Sequence, residues 1–94
     1  MTAYCIAQIE VTNMEEYGKY ASQTVACAEK FGGLFLAKGG SAEWIEGEGA
    51  DRIVVIKFDS IEAAKGFYNS TEYQEAKKIG NGEFNRHIQI VEGV

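Results

Sequence analysis

Two glycine pairs bracket one short apolar run, Phe31-Gly32-Gly33-Leu34-Phe35-Leu36-Ala37-Lys38-Gly39-Gly40. That stretch restricts the fold more than any other. The first pair reads as a helix stop, because glycine takes the left-handed conformation that ends a helix. The run from Leu34 reads as a strand. The second pair reads as a bend or bulge. A helix must therefore precede a strand here, with almost no linker between them.

The flanking segments extend this pattern in both directions. Residues Tyr4 to Val11 alternate with period two. Cys5, Ala7, Ile9 and Val11 fall on one side, and Tyr4, Ile6, Gln8 and Glu10 on the other. Asn13 then caps a helix, with Glu16 three residues on as in a capping box. Apolar positions at Met14, Tyr17, Tyr20, Ala21, Thr24, Ala28 and Phe31 make its stripe. After Gly40, Ser41 to Gly47 is expected to continue as a strand before a turn at Gly47-Glu48-Gly49. Arg52 to Phe58 alternates again, with Val54, Ile56 and Phe58 on one face and Ile53, Val55 and Lys57 on the other.

Asp59-Ser60 opens a second helix, with Glu62 three residues after Asp59 as in a second capping box. A break at Asn69-Ser70 restarts a short helix that runs to Ile79 and stops at Gly80. Asn81-Gly82 reads as a turn. Phe84 to Val91 is the last strand, with Ile88 and Ile90 facing one way and His87, Gln89 and Val91 the other. The order β-α-β-β-α-β predicts an α+β, ferredoxin-like chain in which both helices cover one face of a four-stranded antiparallel sheet.

The uncovered face then carries Tyr4, Ile6, Gln8, Leu34, Leu36, Lys38, Ile53, Val55, Lys57, His87, Gln89 and Val91. Seven of these twelve are Ile, Leu, Val or Tyr. A patch so apolar is expected to be covered, most simply by the same face of a second copy. At 94 residues the chain is expected to make one domain, residues 1–94, with a modest core of its own.

Composition narrows the partners. The net charge is −5, and the nine Lys and Arg are scattered without a basic stripe. That argues against nucleic acid and against an anionic membrane surface. The N-terminal Met1-Thr2-Ala3-Tyr4 lacks a charged n-region and an h-region, and no apolar run approaches the length of a membrane span. The expected location is cytoplasmic. Cys5 and Cys27 belong to no CxxC pair and read as free, buried thiols.

These same elements resemble the small bacterial proteins known as domain of unknown function 1330, members of the dimeric α+β-barrel superfamily. The likeness is carried nearly end to end by Ala3-Tyr4 to Glu10, Glu16-Tyr17, Tyr20, Phe31-Gly32-Gly33, Phe35-Leu36, Lys38-Gly39-Gly40, Val54-Val55-Ile56, Phe58, Phe67-Tyr68, Ser70, Glu72-Tyr73-Gln74 and Val91-Glu92-Gly93. The resemblance implies the fold and a homodimer. It implies no chemistry, because the wider superfamily holds cofactor-independent monooxygenases and lactone isomerases alike. The chain departs from the family pattern at Lys38, where arginine is usual, and at Lys57, where glutamate is usual. It has Met14 and Thr71 where proline is frequent.

The candidate site residues follow from the uncovered face. Gln8, Lys38, Lys57 and His87 cluster there in the expected register. Two lysines in an apolar setting favour a small carboxylate or enolate, with His87 as the proton-moving group. In the other reading the lysines reach to the rim and pair with acids of a partner chain. Trp44 and Tyr68 are candidate pocket walls, although most aromatics here have core spacing. A single histidine excludes a multi-histidine metal site. No GxGxxG, phosphate loop or GxSxG is present, so no cofactor is expected. The expected function is the binding or cofactor-free conversion of a small anionic metabolite between the sheets of a homodimer. The alternative is a non-catalytic dimer with a filled barrel.

Overall fold

A computed structural model describes residues 1–79 and 84–94. Seven elements follow in order: β1 (Ala3–Val11), α1 (Met14–Lys30), β2 (Leu34–Lys38), β3 (Arg52–Phe58), α2 (Ile61–Asn69), α3 (Thr71–Lys77) and β4 (Phe84–Glu92). The strands form one antiparallel sheet in the order β2-β3-β1-β4. This is the ferredoxin-like arrangement: β1 and β3 are central, and β2 and β4 are the edges. The expected stop at Gly80 and turn at Asn81-Gly82 lie outside the described residues.

Local chemistry accounts for the helix limits. The Asn13 side chain accepts from the Glu16 amide at 3.1 Å, and Glu15 and Glu16 place negative charge at the positive end of α1. At the other end Gly32 takes φ +83°, and the Gly33 amide reaches back to the Ala28 carbonyl at 2.8 Å. The cap of α2 is Ser60, which accepts from the Ala63 amide at 3.1 Å. Asp59 therefore stands one residue outside the cap, and the capping box expected from it does not form. Ser70 ends α2 and caps α3: its hydroxyl donates to the Phe67 carbonyl at 2.7 Å and accepts from the Tyr73 amide at 3.1 Å.

The helices lie on one face of the sheet. Cys5, Ala7, Ile9, Val54, Ile56, Phe58 and Phe84 point toward them and are buried against Tyr17, Tyr20, Ala28, Ala64, Phe67 and Tyr73. Burial of this apolar surface is the main stabilising term. Met14 is not part of the core stripe; it opens α1 at 57% exposure. Both cysteines are buried and free. The molecule is a slab of 33 × 33 × 17 Å between Cα extremes, as one sheet layer and one helix layer require.

Two expectations fail between β2 and β3. Residues 41–47 form no strand. Gly39, at φ +75°, turns the chain out of β2, and the following residues are exposed. Trp44 holds the loop to itself by donating Nε1 to the Ala50 carbonyl at 3.2 Å.

The second failure is a bulge. Phe35 stands opposite Ile56, but Ala37, not Leu36, stands opposite Val55. Leu36 is an extra residue, so every side chain after it changes face relative to simple alternation. Lys38 pairs with Val54 and turns to the helix-covered side, its ammonium 4.9 Å from the Phe35 ring centre. Its expected place on the uncovered face is corrected accordingly.

Candidate functional site

The uncovered face of the sheet reads in rows across four strands. Leu34, Lys57, Tyr4 and Val91 form one row. Ala37, Val55, Ile6 and Gln89 form the next. Ile53, Gln8 and His87 form a third, and Glu10 with Asn85 closes the face at one end. Leu34 is 59% exposed, Leu36 54% and Val91 46%. Tyr4, Ile6, Ile53 and Val55 are half-buried.

Of the six sequence-derived candidates, this face brings together Gln8, His87 and Lys57. Gln8 and His87 are direct cross-strand partners, and Gln89 joins them around a shallow hollow of about 160 Å³. Gln89 carries no sequence signal as a site residue; alternation puts it on the correct face but does not distinguish it from the other polar positions. Lys57 lies two rows away, between Leu34 and Tyr4. Among the described residues it makes no ion pair. The polar groups among the described residues thus sit as islands in an apolar field: amides, imidazole, one ammonium and the Tyr4 phenol, with the Glu10 carboxylate at the end of the face.

The other three candidates are elsewhere. Trp44 is in the loop after β2, at 47% exposure. Tyr68 is on α2, in the helix layer, where its hydroxyl accepts from the Lys77 ammonium at 3.3 Å. Lys38 is at the wall of an interior cavity between α1 and the sheet, shared with Cys5, Ala7, Thr24, Val54 and Ile56. That cavity measures about 40 Å³, room for a water or two but not for a metabolite. The Thr24 hydroxyl is buried there without a hydrogen-bond partner. Burial pushes the Cys5 thiol up to about 11, which leaves it protonated and unreactive near neutrality.

Among the described residues, no helix is long and apolar enough to cross a membrane. A family model described as Domain of unknown function (DUF1330) matches residues 2–94. No curated protein matches the chain. Among solved structures, it is similar to a protein of unknown function from Rhodopseudomonas palustris, with a TM-score of 0.78 at 15% identity over 99% of this chain and 82% of that one. It is similar to a dimeric ferredoxin-like protein of unknown function from Jannaschia sp. CCS1, with a TM-score of 0.78 at 13% identity over 99% and 100% of the two chains. A third, a dimeric protein of unknown function with a ferredoxin-like fold from Bacteroides fragilis NCTC 9343, gives a TM-score of 0.60 at 16% identity over 98% and 96%. At these identities the likeness establishes the fold.

Proposed function

The chain belongs to the DUF1330 family, and on that premise we propose that it acts as a homodimer whose uncovered sheet faces meet and hold a small organic acid between them. The observation that carries this reading is the half-apolar, uncovered face, with Leu34, Leu36 and Val91 in the open. A contiguous patch of that kind marks an interaction surface. The broad side of a 33 × 33 Å slab is large enough for the ~800 Å² per partner of a standard interface. Two of the structurally similar proteins are described as dimeric, which supports a dimer here.

Within the joined faces, Lys57 supplies the countercharge for the acid. Gln8 and Gln89 supply hydrogen bonds, and His87 supplies an imidazole for proton transfer. Desolvation by the second copy strengthens each of these contacts. A second reading, a non-catalytic dimer with a filled interface, is favoured by one observation: the bulge removes Lys38 from the face and leaves Lys57 as its one cation among the described residues.

Sedimentation equilibrium and a thermal-shift screen of small carboxylates test the proposal. The expected mass is twice 10.3 kDa, with stabilisation by at least one carboxylate that Lys57→Gln abolishes. A mass of one chain rejects the dimer. A dimer that no carboxylate stabilises leaves only the second reading.

A further inference from the structure

The opposite layer of the molecule carries a groove that the interface reading does not use. It lies between α2–α3 and the edge strand β4, measures about 440 Å³, and is lined by Tyr68, Tyr73, Lys77, Arg86, Ile88 and Ile90. Its floor is apolar, from the two isoleucines of β4. Tyr68 and Tyr73 form its aromatic wall, their ring centres 5.2 Å apart. A second hollow of about 230 Å³ adjoins it at Lys77 and Arg86 and adds Gln74 and Lys78.

The charges in this groove are one-sided. The chain has 14 acidic residues, yet no carboxylate among the described residues lines either hollow. Lys78 is tied to Glu75 at 3.2 Å. Lys77 and Arg86 make no ion pair among the described residues; Lys77 donates to the Tyr68 hydroxyl at 3.3 Å, and Arg86 rests on rings. The Lys77 ammonium lies 5.4 Å from the Tyr68 ring centre. The Arg86 guanidinium lies 5.0 Å from that of Tyr20 and 5.2 Å from that of Phe84. Contact with a ring face orients a cation but engages few of its N–H donors. Tyr20 and Tyr73 are in turn fixed by their hydroxyl–hydroxyl contact of 2.7 Å, which holds the inner wall rigid.

We infer that this groove binds a small flat carboxylate, an aryl acid, with its ring against Ile88, Ile90 and Tyr68 and its carboxylate shared by Lys77 and Arg86. Two cations at one end of an apolar trough match a ligand that has one anionic end and an apolar body. Free phosphate satisfies the cations but wastes the floor. A neutral aryl amide fits the floor but leaves the cations unmatched. The groove is complete within one chain, so this inference does not rest on the dimer.

Titration of the ¹⁵N-labelled protein with benzoate, followed by amide chemical shifts, tests it. The expected result is saturable binding in the millimolar range, with shifts centred on residues 68, 73, 77, 86, 88 and 90. Benzamide and inorganic phosphate should each bind at least about 10-fold more weakly. Lys77→Gln and Arg86→Gln should each weaken benzoate by a similar factor. Arg86 also packs on Tyr20 and Phe84, so Lys77→Gln decides alone if Arg86→Gln does not fold. No saturable shift, shifts centred on the uncovered sheet face, equal binding of benzamide or phosphate, or unaltered binding in Lys77→Gln would each overturn the inference. None of these outcomes bears on the mass of the assembly, so the two readings fail separately.

Discussion

Lys38 stands directly across the sheet from Val54, and Val54 faces the helices. One inserted residue, Leu36, produces this relationship. It also determines which substitutions in β2 should affect association.

Leu36→Asp should convert the proposed dimer to monomer, because it places a carboxylate among the exposed leucines of the apolar face. Leu36 is 54% exposed in the protomer, so the folded chain should keep its thermal midpoint when measured as a monomer. Lys38→Ala, two residues away but on the other side, should leave the dissociation constant within about threefold of the parent. Analytical ultracentrifugation of the two variants gives the contrast; equal effects would refute the assignment of faces.

The Tyr20 and Tyr73 hydroxyls, 2.7 Å apart, form a hydrogen-bonded pair between two buried side chains. Tyr73→Phe or Tyr20→Phe should each cost about 1–2 kcal/mol, since either strands the remaining hydroxyl. The double variant should cost less than the sum of the two, by about 1 kcal/mol. Urea unfolding of the four proteins closes the cycle, and strict additivity would mean that the pair is not coupled.

Two glycines should respond to alanine with opposite signs. At Gly18, inside α1, an added Cβ meets nothing within 4 Å. Gly18→Ala should stabilise by about 0.5–1 kcal/mol through helix propensity and reduced freedom of the unfolded chain. At Gly33 the same Cβ falls 2.9 Å from the Ala28 carbonyl oxygen and 2.9 Å from Cγ2 of Ile56. Gly33→Ala should therefore cost about 2 kcal/mol or more. Thermal melts of the two variants on either side of the parent would agree with this; two shifts of the same sign would not.

Stability should fall in alkali from about pH 9 upward. Burial raises the Cys5 thiol from its ordinary 9.0 to about 11. The unfolded chain then loses its proton first. The contribution is fully present below pH 9 and is lost as the pH rises toward 11, up to ~3 kcal/mol. Burial, with the neighbouring Tyr20, also pushes the Tyr73 hydroxyl up from 10.0, which acts with the same sign at higher pH. Urea midpoints between pH 8 and 11 should decline, and the decline should begin later in Cys5→Ala. A flat profile in the parent would show that Cys5 is not desolvated.

Much of the fold is legible in the order of residues. The period-two runs of β1, β3 and β4 put Cys5, Val54, Ile88 and their neighbours on the helix side and Gln8, Lys57 and His87 on the other, as observed. The helix limits at Asn13, Gly32 and Ser70 follow from capping chemistry that needs only adjacent residues. The strand expected at 41–47 does not form, because an isolated apolar pair, Trp44-Ile45, makes a strand only if a partner edge is available.

The candidate site divides along the same line. Arg86 interrupts the apolar alternation of Phe84, Ile88 and Ile90 on the covered face of β4, and that charge is a readable signal of the groove that alternation alone passes over. Lys77 carries no such signal. Its position beside Arg86 depends on how α3 lies across the sheet.

What the chain's residue order determined by itself is local: period, caps, turns and the one-sided placement of helices, since each depends on neighbours within a few positions. The bulge at Leu36, the face of Lys38 and the meeting of Lys77 with Arg86 were decided only in three dimensions. They depend on which strand lies opposite and which helix lies above, and a single extra residue in an edge strand reverses the outcome without altering the pattern around it.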